Sequence, residues 1–260
     1  MIKFIVASDL RAPHFIEDNM HIDSSVIKKI DEITSAADDC NFIADLGDCL
    51  DGNSSPEEGR AVLDDIYSLY NRADAPVHML MGERTAVVSK EAFLSHTNTP
   101  FRYRAFDVIN YRCIFLDAIQ KDGEFYIDNE QFDWLARLLG KPHRTAVIFS
   151  HAPIALTDES DDSKLIANRA LLRELIETSK KVALVVSGHS DKGDLVVSNE
   201  VPYITLSPSF SSEDATYAKI TVSSHGVVGE GFGAQESFSV YTPVEEPEKK
   251  SIFKKIRDLF

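Results

Sequence analysis

Five short stretches of this chain place metal-ligating side chains and turn residues directly after apolar runs. They are "SDLR" with Asp9 and Arg11, "LGDCLDG" with Asp48, "MGERT" with Glu83 and Arg84, "SHAP" with His151, and "SGHSD" with His189 and Asp191. Carboxylates and imidazoles are the oxygen and nitrogen donors that hold Mn, Fe, Zn or Mg. Gathered in one pocket they could hold a divalent cation. Two arginines stand among them. A guanidinium has no lone pair for a metal and stays protonated, but its planar fork holds a phosphate.

These residues meet only if the runs ahead of them are strands of α/β sheets, whose carboxyl ends share one rim. The runs are "IKFIVAS" (2–8), "NFIADLG" (41–47), "VHMLMG" (77–82), "YRCIFLDA" (111–118), "TAVIFSH" (145–151) and "VALVVSGH" (182–189). Most are apolar throughout, as expected of strands covered on both faces. Helical patterns lie between several of them. In "SSPEEGRAVLDDIYSLYNR", Ser55 is the cap, Pro56 suits the first helical position, and Glu58 can return the capping-box bond. "NEQFDWLARLLG", stopping at Gly140, and "NRALLRELIETSKK" read the same way. The alternation predicts a layered α/β sandwich. Beyond residue 195, "LVVSN", "PYITLSPSF", "YAKITVSS" and "FSVYT" read as further short strands of that sandwich.

Composition bounds the function. With 260 residues, 43% hydrophobic and 27% charged, the chain is expected to fold as one domain over residues 1–241. Net charge −15 argues against a nucleic-acid platform on the bulk surface. Cys40, Cys49 and Cys113 are odd in number, lack metal-type spacing and read as reduced core thiols. The N-terminal apolar run is too short for a signal peptide and no run is long enough to span a membrane, so the cytoplasm is the expected location. "YTPVEEPEKK" reads as a solvated linker, assigned to residues 242–250. In "SIFKKIRDLF" (251–260), Ile252, Phe253, Ile256, Leu259 and Phe260 form a helical stripe opposite Lys254, Lys255 and Arg257. Such a tail docks on its own domain, in a partner's groove, or weakly on a membrane surface.

The series of motifs resembles the calcineurin-like metallophosphoesterases, over residues 1 to about 210. That family carries D-x-H, G-D-x-x-D, G-N-H-D/E, H and G-H-x-H in this order, and "NEQFDWL" is similar to a helix of its cyclic-nucleotide-phosphodiesterase-like branch. The resemblance implies a four-layer α/β/β/α sandwich. It also implies two divalent metals sharing Asp48, one held further by the positions of Asp9, Arg11 and Asp191, the other by Glu83, His151 and His189. The position of Arg84 would be the histidine that assists the leaving group.

Four of those positions depart from the pattern: Arg11, Glu83, Arg84 and Asp191. Glu83 and Asp191 can still ligate a hard cation. Arg11 cannot ligate, and Arg84 cannot act as a general acid, although both can clamp a phosphate. His14 is a candidate substitute ligand, whereas His21, His78, His96, His143 and His225 have no partner pattern. Two arginines standing where two metals stood would compensate a crowd of carboxylates formed by Asp9, Asp48, Glu83 and Asp191. The expectation is a phosphate-binding or scaffold protein with a degenerate dinuclear site. The alternative is an active phosphomonoesterase or phosphodiesterase using one metal, or another non-standard metal site. The sequence leaves either one divalent cation or none.

Overall fold

The computed structural model describes residues 1–15, 20–141 and 145–241; the expected linker and tail, and His143, lie outside them. In chain order the strands are β1 (Ile2–Ala7), β2 (Phe42–Asp45), β3 (Val77–Met79), β4 (Arg104–Val108), β5 (Tyr111–Phe115), β6 (Ile119–Lys121) and β7 (Glu124–Tyr126). They continue as β8 (Thr145–Ser150), β9 (Val182–Ser187), β10 (Asp194–Ser198), β11 (Val201–Thr205), β12 (Tyr217–Ser223), β13 (Gly226–Phe232) and β14 (Phe238–Tyr241). The helices are α1 (Ser24–Ser35), α2 (Pro56–Tyr70), α3 (Lys90–His96), α4 (Asn129–Gly140) and α5 (Arg169–Ser179).

Two mixed six-stranded sheets form, ordered β14-β13-β12-β1-β2-β3 and β10-β11-β9-β8-β5-β4. Their inner faces meet in one core, where Phe4 and Val6 of β1 face Phe149 of β8 and Val186 of β9. Ile5 of β1 and Ile43 of β2 point the other way, onto α1 and α2. On the far side, Ile148 and Val185 pack with Leu135 of α4 and Ile176 of α5. Three apolar layers therefore separate four layers of secondary structure, the expected α/β/β/α sandwich. Strands buried on both faces need apolar residues at successive positions, which accounts for the unbroken runs in the sequence.

Local rules hold where they were explicit. Ser55 and Glu58 exchange the two capping-box bonds at the start of α2, and α4 ends at Gly140. α1, β4, the β6–β7 hairpin and β13 carried no comparable signal: β13, "GVVGEGF", is glycine-rich, and its strand state is fixed by antiparallel pairing with β12 and β14. Cys49 and Cys113 are buried free thiols, and Cys40 is partly exposed. No helix among the described residues is long and apolar enough to cross a membrane.

Candidate metal centre

β1, β2 and β3 run parallel in one sheet, and β8 and β9 run parallel in the other. Short backbone bonds bring their carboxyl ends to a common rim. Asp9 N–H donates to the Gly47 carbonyl at 2.9 Å, and Gly188 N–H to the His151 carbonyl at 2.9 Å. Across the two sheets, His189 N–H donates to Asp9 Oδ2 at 3.0 Å. The turns are tight. Asp9, Arg11, Asp48 and His189 all adopt left-handed backbone angles, with φ of 57°, 50°, 53° and 59°. Non-glycine residues in this region cost free energy and cluster where a site is built.

Asp48, Glu83, His151 and His189 each offer one ligand atom, and these four atoms lie within 4.8 Å of one another. His151, Asp48 and His189 are oriented by residues outside the group. His151 is fully buried, and its Nδ1 lies 2.9 Å from the Leu46 carbonyl. A carbonyl only accepts, so Nδ1 carries a hydrogen, and Nε2, 2.9 Å from Glu83 Oε2 and 3.6 Å from Asp48 Oδ2, donates a second proton to these carboxylates or gives its lone pair to a cation held between them. Asp48 Oδ1 accepts from the N–H groups of Arg84 at 2.9 Å and Thr85 at 3.4 Å. Its Oδ2 is buried with no hydrogen bond. His189 Nδ1 lies 3.2 Å from Glu83 Oε2 but is likewise buried without an aligned hydrogen bond. Phe125 packs against the His189 ring, 4.6 Å between centroids. Gly82 makes the cluster possible, because a Cβ there would lie 2.1 Å from Asp48 Oδ1.

The electrostatics fit a cation. Burial pushes the Asp48 carboxyl upward, with Glu83 and Asp9 adding to the shift. Burial also opposes a charge on Glu83, but its contacts with His151 and His189 outweigh this and hold it below the usual carboxylate range. Burial disfavours a charged His151, yet the adjacent Asp48 and Glu83 carboxylates win and raise it. A positive charge between these groups, a proton on Nε2 or a metal ion, balances the buried Asp48 and half-buried Glu83 carboxylates. An orphaned carboxylate oxygen, an orphaned imidazole nitrogen and a second imidazole anchored through its far nitrogen are the donor set of a divalent metal site.

The neighbouring half of the rim is different. Asp9 is buried, and Arg11 Nη2 donates to its Oδ1 at 3.0 Å, while Ser8 Oγ donates to Oδ2 at 2.7 Å. The Arg11 guanidinium lies over the Phe210 ring, 3.9 Å from its centroid. A guanidinium thus sits where a second cation would need Asp9, and these residues do not fit a second metal. The pairing of arginines with carboxylates expected from the sequence is close and hydrogen-bonded at Arg11 and looser at Arg84. Arg84 Nε stands 3.9 Å from Asp48 Oδ2 and Nη1 donates to the Asp51 carbonyl at 3.2 Å, with the side chain partly exposed. Asp191 is outside the cluster, its carboxylate largely exposed and paired with Lys164. His14 faces Glu58, 3.3 Å away, and not the cluster. His78 is half-buried and stacked on Phe106, 4.1 Å between centroids.

Ser8 and Gly82 lie inside the quoted stretches "SDLR" and "MGERT" but were not singled out there, and Phe125 and Phe210 lie outside them. For Gly82, the lack of a side chain directly before a ligand residue was the available signal. Phe125 and Phe210 reach the site only through long-range packing.

No family model matches the sequence, and no curated protein matches it. Solved structures do. The chain is similar to a dimetal phosphatase of Danio rerio, at TM-score 0.79 and 16% identity over 92% of this chain and 98% of that one. It is also similar to GAP50, described as the anchor in the inner membrane complex of Plasmodium, at TM-score 0.65 and 15% identity over 92% and 87% of the two chains. A third is purple acid phosphatase PPD1 from yellow lupin, at TM-score 0.67 and 10% identity over 92% of this chain and 52% of that one. With the layer order and the rim of metal-type ligands, these similarities identify the calcineurin-like metallophosphoesterase fold, a fold whose enzymes use divalent metals.

Proposed function

We propose that this protein binds a phosphate-bearing small molecule through one divalent cation and two arginines, and that it has lost two-metal hydrolysis. The observation that carries this reading is the split rim. Asp48 Oδ2 and His189 Nδ1 are unpaired metal-type donors, whereas Asp9 is already taken by Arg11. Asp48, Glu83, His151 and His189 would hold the cation. When bound, it would act as a Lewis acid on a phosphoryl oxygen.

The chain's own residues do the rest. Arg11 Nε and Arg84 Nε are buried donors with no hydrogen bond, the first on the arginine paired with Asp9 and the second 3.9 Å from Asp48 Oδ2. An unpaired buried donor costs roughly 1–3 kcal/mol, which an anionic oxygen would offset with a charge-assisted bond. Neither arginine can deliver a proton to a leaving group, because a guanidinium does not give up its proton near neutral pH. Binding is therefore supported and general-acid catalysis is not.

The intact four-ligand group favours a second reading, a phosphoesterase working with a single metal. Manganese titration calorimetry and hydrolysis of nitrophenyl phosphate mono- and diesters separate the two. The proposal expects one equivalent of manganese, binding of phosphate, and turnover several decades below about 1 per second, since a lost Lewis acid and general acid each cost several kcal/mol at about 1.4 kcal/mol per decade. Turnover near 1 per second that disappears in Asp48→Ala would establish the single-metal enzyme. Two equivalents of manganese would contradict both readings of Arg11.

A further inference from the structure

The outer face of the first sheet is covered unevenly. α1 and α2 pack over β1 and β2, with Tyr217 of β12 at the margin of that core. Beyond it, β13 and β14 leave Val228, Phe232 and Tyr241 exposed, by 42%, 37% and 73%. The register puts these side chains on one face: Phe232 opposes Tyr217, Val228 opposes Thr221, and Tyr241 opposes Gly226. Val227, between them, points into the core between the sheets. Tyr217 and Phe232 stack with centroids 4.5 Å apart. Beside them, α1 leaves a groove lined by Ile27, Ala36 and Tyr217, with Asp31 and Glu32 on its wall. These apolar side chains, interrupted by the Lys219 and Glu230 pair of positions, form a strip that is a docking surface in want of an occupant.

We propose that the occupant is the chain's own segment 251–260. β14 ends at Tyr241, on this same face, so the following residues begin beside the strip. The nine residues 242–250 can extend roughly 30 Å, enough to return a short helix across β14 and β13 toward α1. The segment offers Ile252, Phe253, Ile256, Leu259 and Phe260 as one helical stripe, matching the strip in chemistry. Glu230 lies on the same face between Phe232 and Val228, and with Asp31, Glu32 and Asp214 at the border it outnumbers Lys28 and Lys219, an excess of carboxylate that Lys254, Lys255 and Arg257 at the flanks of the stripe would offset. Tethering raises the effective concentration of the segment to about the millimolar range, so a modest intrinsic affinity suffices.

Zero-length carbodiimide cross-linking of full-length protein tests this, with isotope-labelled and unlabelled chains mixed so that bonds within one chain are told from bonds between chains. Lys254 or Lys255 should join Glu230, Asp31 or Glu32 within one chain. The yield should fall about tenfold in Ile256→Glu and in Val228→Ser, because each removes an apolar anchor worth a decade or so of binding. Ile256→Glu lies in the tail, so a folding defect of the sandwich cannot explain its effect. Bonds mainly between labelled and unlabelled chains would assign the strip to a second copy and overturn the proposal. Absence of these bonds, or yields indifferent to Ile256→Glu, would overturn it as well.

Discussion

Replacing Arg11 by alanine in metal-free protein isolates the role given to the arginine. Asp9 is 1% exposed, so its charge depends on local partners. Removing one partner of a buried ion pair costs about 3–5 kcal/mol. Here the lower end applies, because Asp9 keeps the Ser8 hydroxyl at 2.7 Å and the His189 N–H at 3.0 Å. Loss of the guanidinium from the Phe210 ring adds roughly 0.5–1 kcal/mol. A total of about 3.5–4 kcal/mol lowers Tm by about 7–16 °C for a chain of this size. Manganese should then do more for the variant than for the parent. The parent gains one cation, worth about 2.7 kcal/mol at a hundredfold excess over Kd, and the variant gains a second in the vacated place beside Asp9. Differential scanning calorimetry of both proteins, with and without manganese, reads the four values. If Arg11→Ala melts with the parent and manganese stabilises the two equally, Arg11 does not substitute for a metal.

Gly82→Ala should abolish manganese binding in titration calorimetry, since the new Cβ would fall 2.1 Å from Asp48 Oδ1 and 2.7 Å from His151 Cε1; retained stoichiometry would show that the turn yields. Asp45 is buried, accepts from Tyr70 Oη at 3.1 Å and Gly47 N–H at 2.9 Å, and burial raises its pKa to about 7. A carboxyl whose folded pKa exceeds its unfolded value of about 4 costs stability as pH rises between the two. Asp45→Asn should therefore gain stability over the parent from pH 5 to pH 8, by at most about 4 kcal/mol, and equal gains at both pH values in denaturant titrations would refute the assignment. His78 shows the opposite sign. Burial, aided by Arg104, lowers its pKa to about 4, so stability is lost as pH falls from about 6.5 to 4, and His78→Phe should remove up to about 3 kcal/mol of that loss. An unchanged acid slope would count against a neutral, half-buried His78.

The sandwich was legible because burial on both faces writes a strand as an unbroken apolar run, and because five such runs end in turns carrying ligand-type residues. The capping box of α2 and the stop of α4 were legible for a local reason: their partners lie within a few residues. β13 was not, since glycines and alternating polar residues acquire a strand state only by pairing with β12 and β14.

At the centre, the sequence by itself determined the inventory: which residues stand at the rim, and that Arg11 and Arg84 cannot ligate a metal, a matter of chemistry without geometry. Only the tertiary structure decided how they are paired. It separated Arg11, locked to Asp9, from Arg84, which turns to the Asp51 carbonyl, and it drew Asp191 out to Lys164. It also selected Asp48, Glu83, His151 and His189 as the group whose ligand atoms meet. The physical reason is that spacing along the chain fixes which strand end carries a side chain, whereas rotamer, neighbouring charge and backbone angle, set by residues far apart in sequence, fix where its polar atoms point.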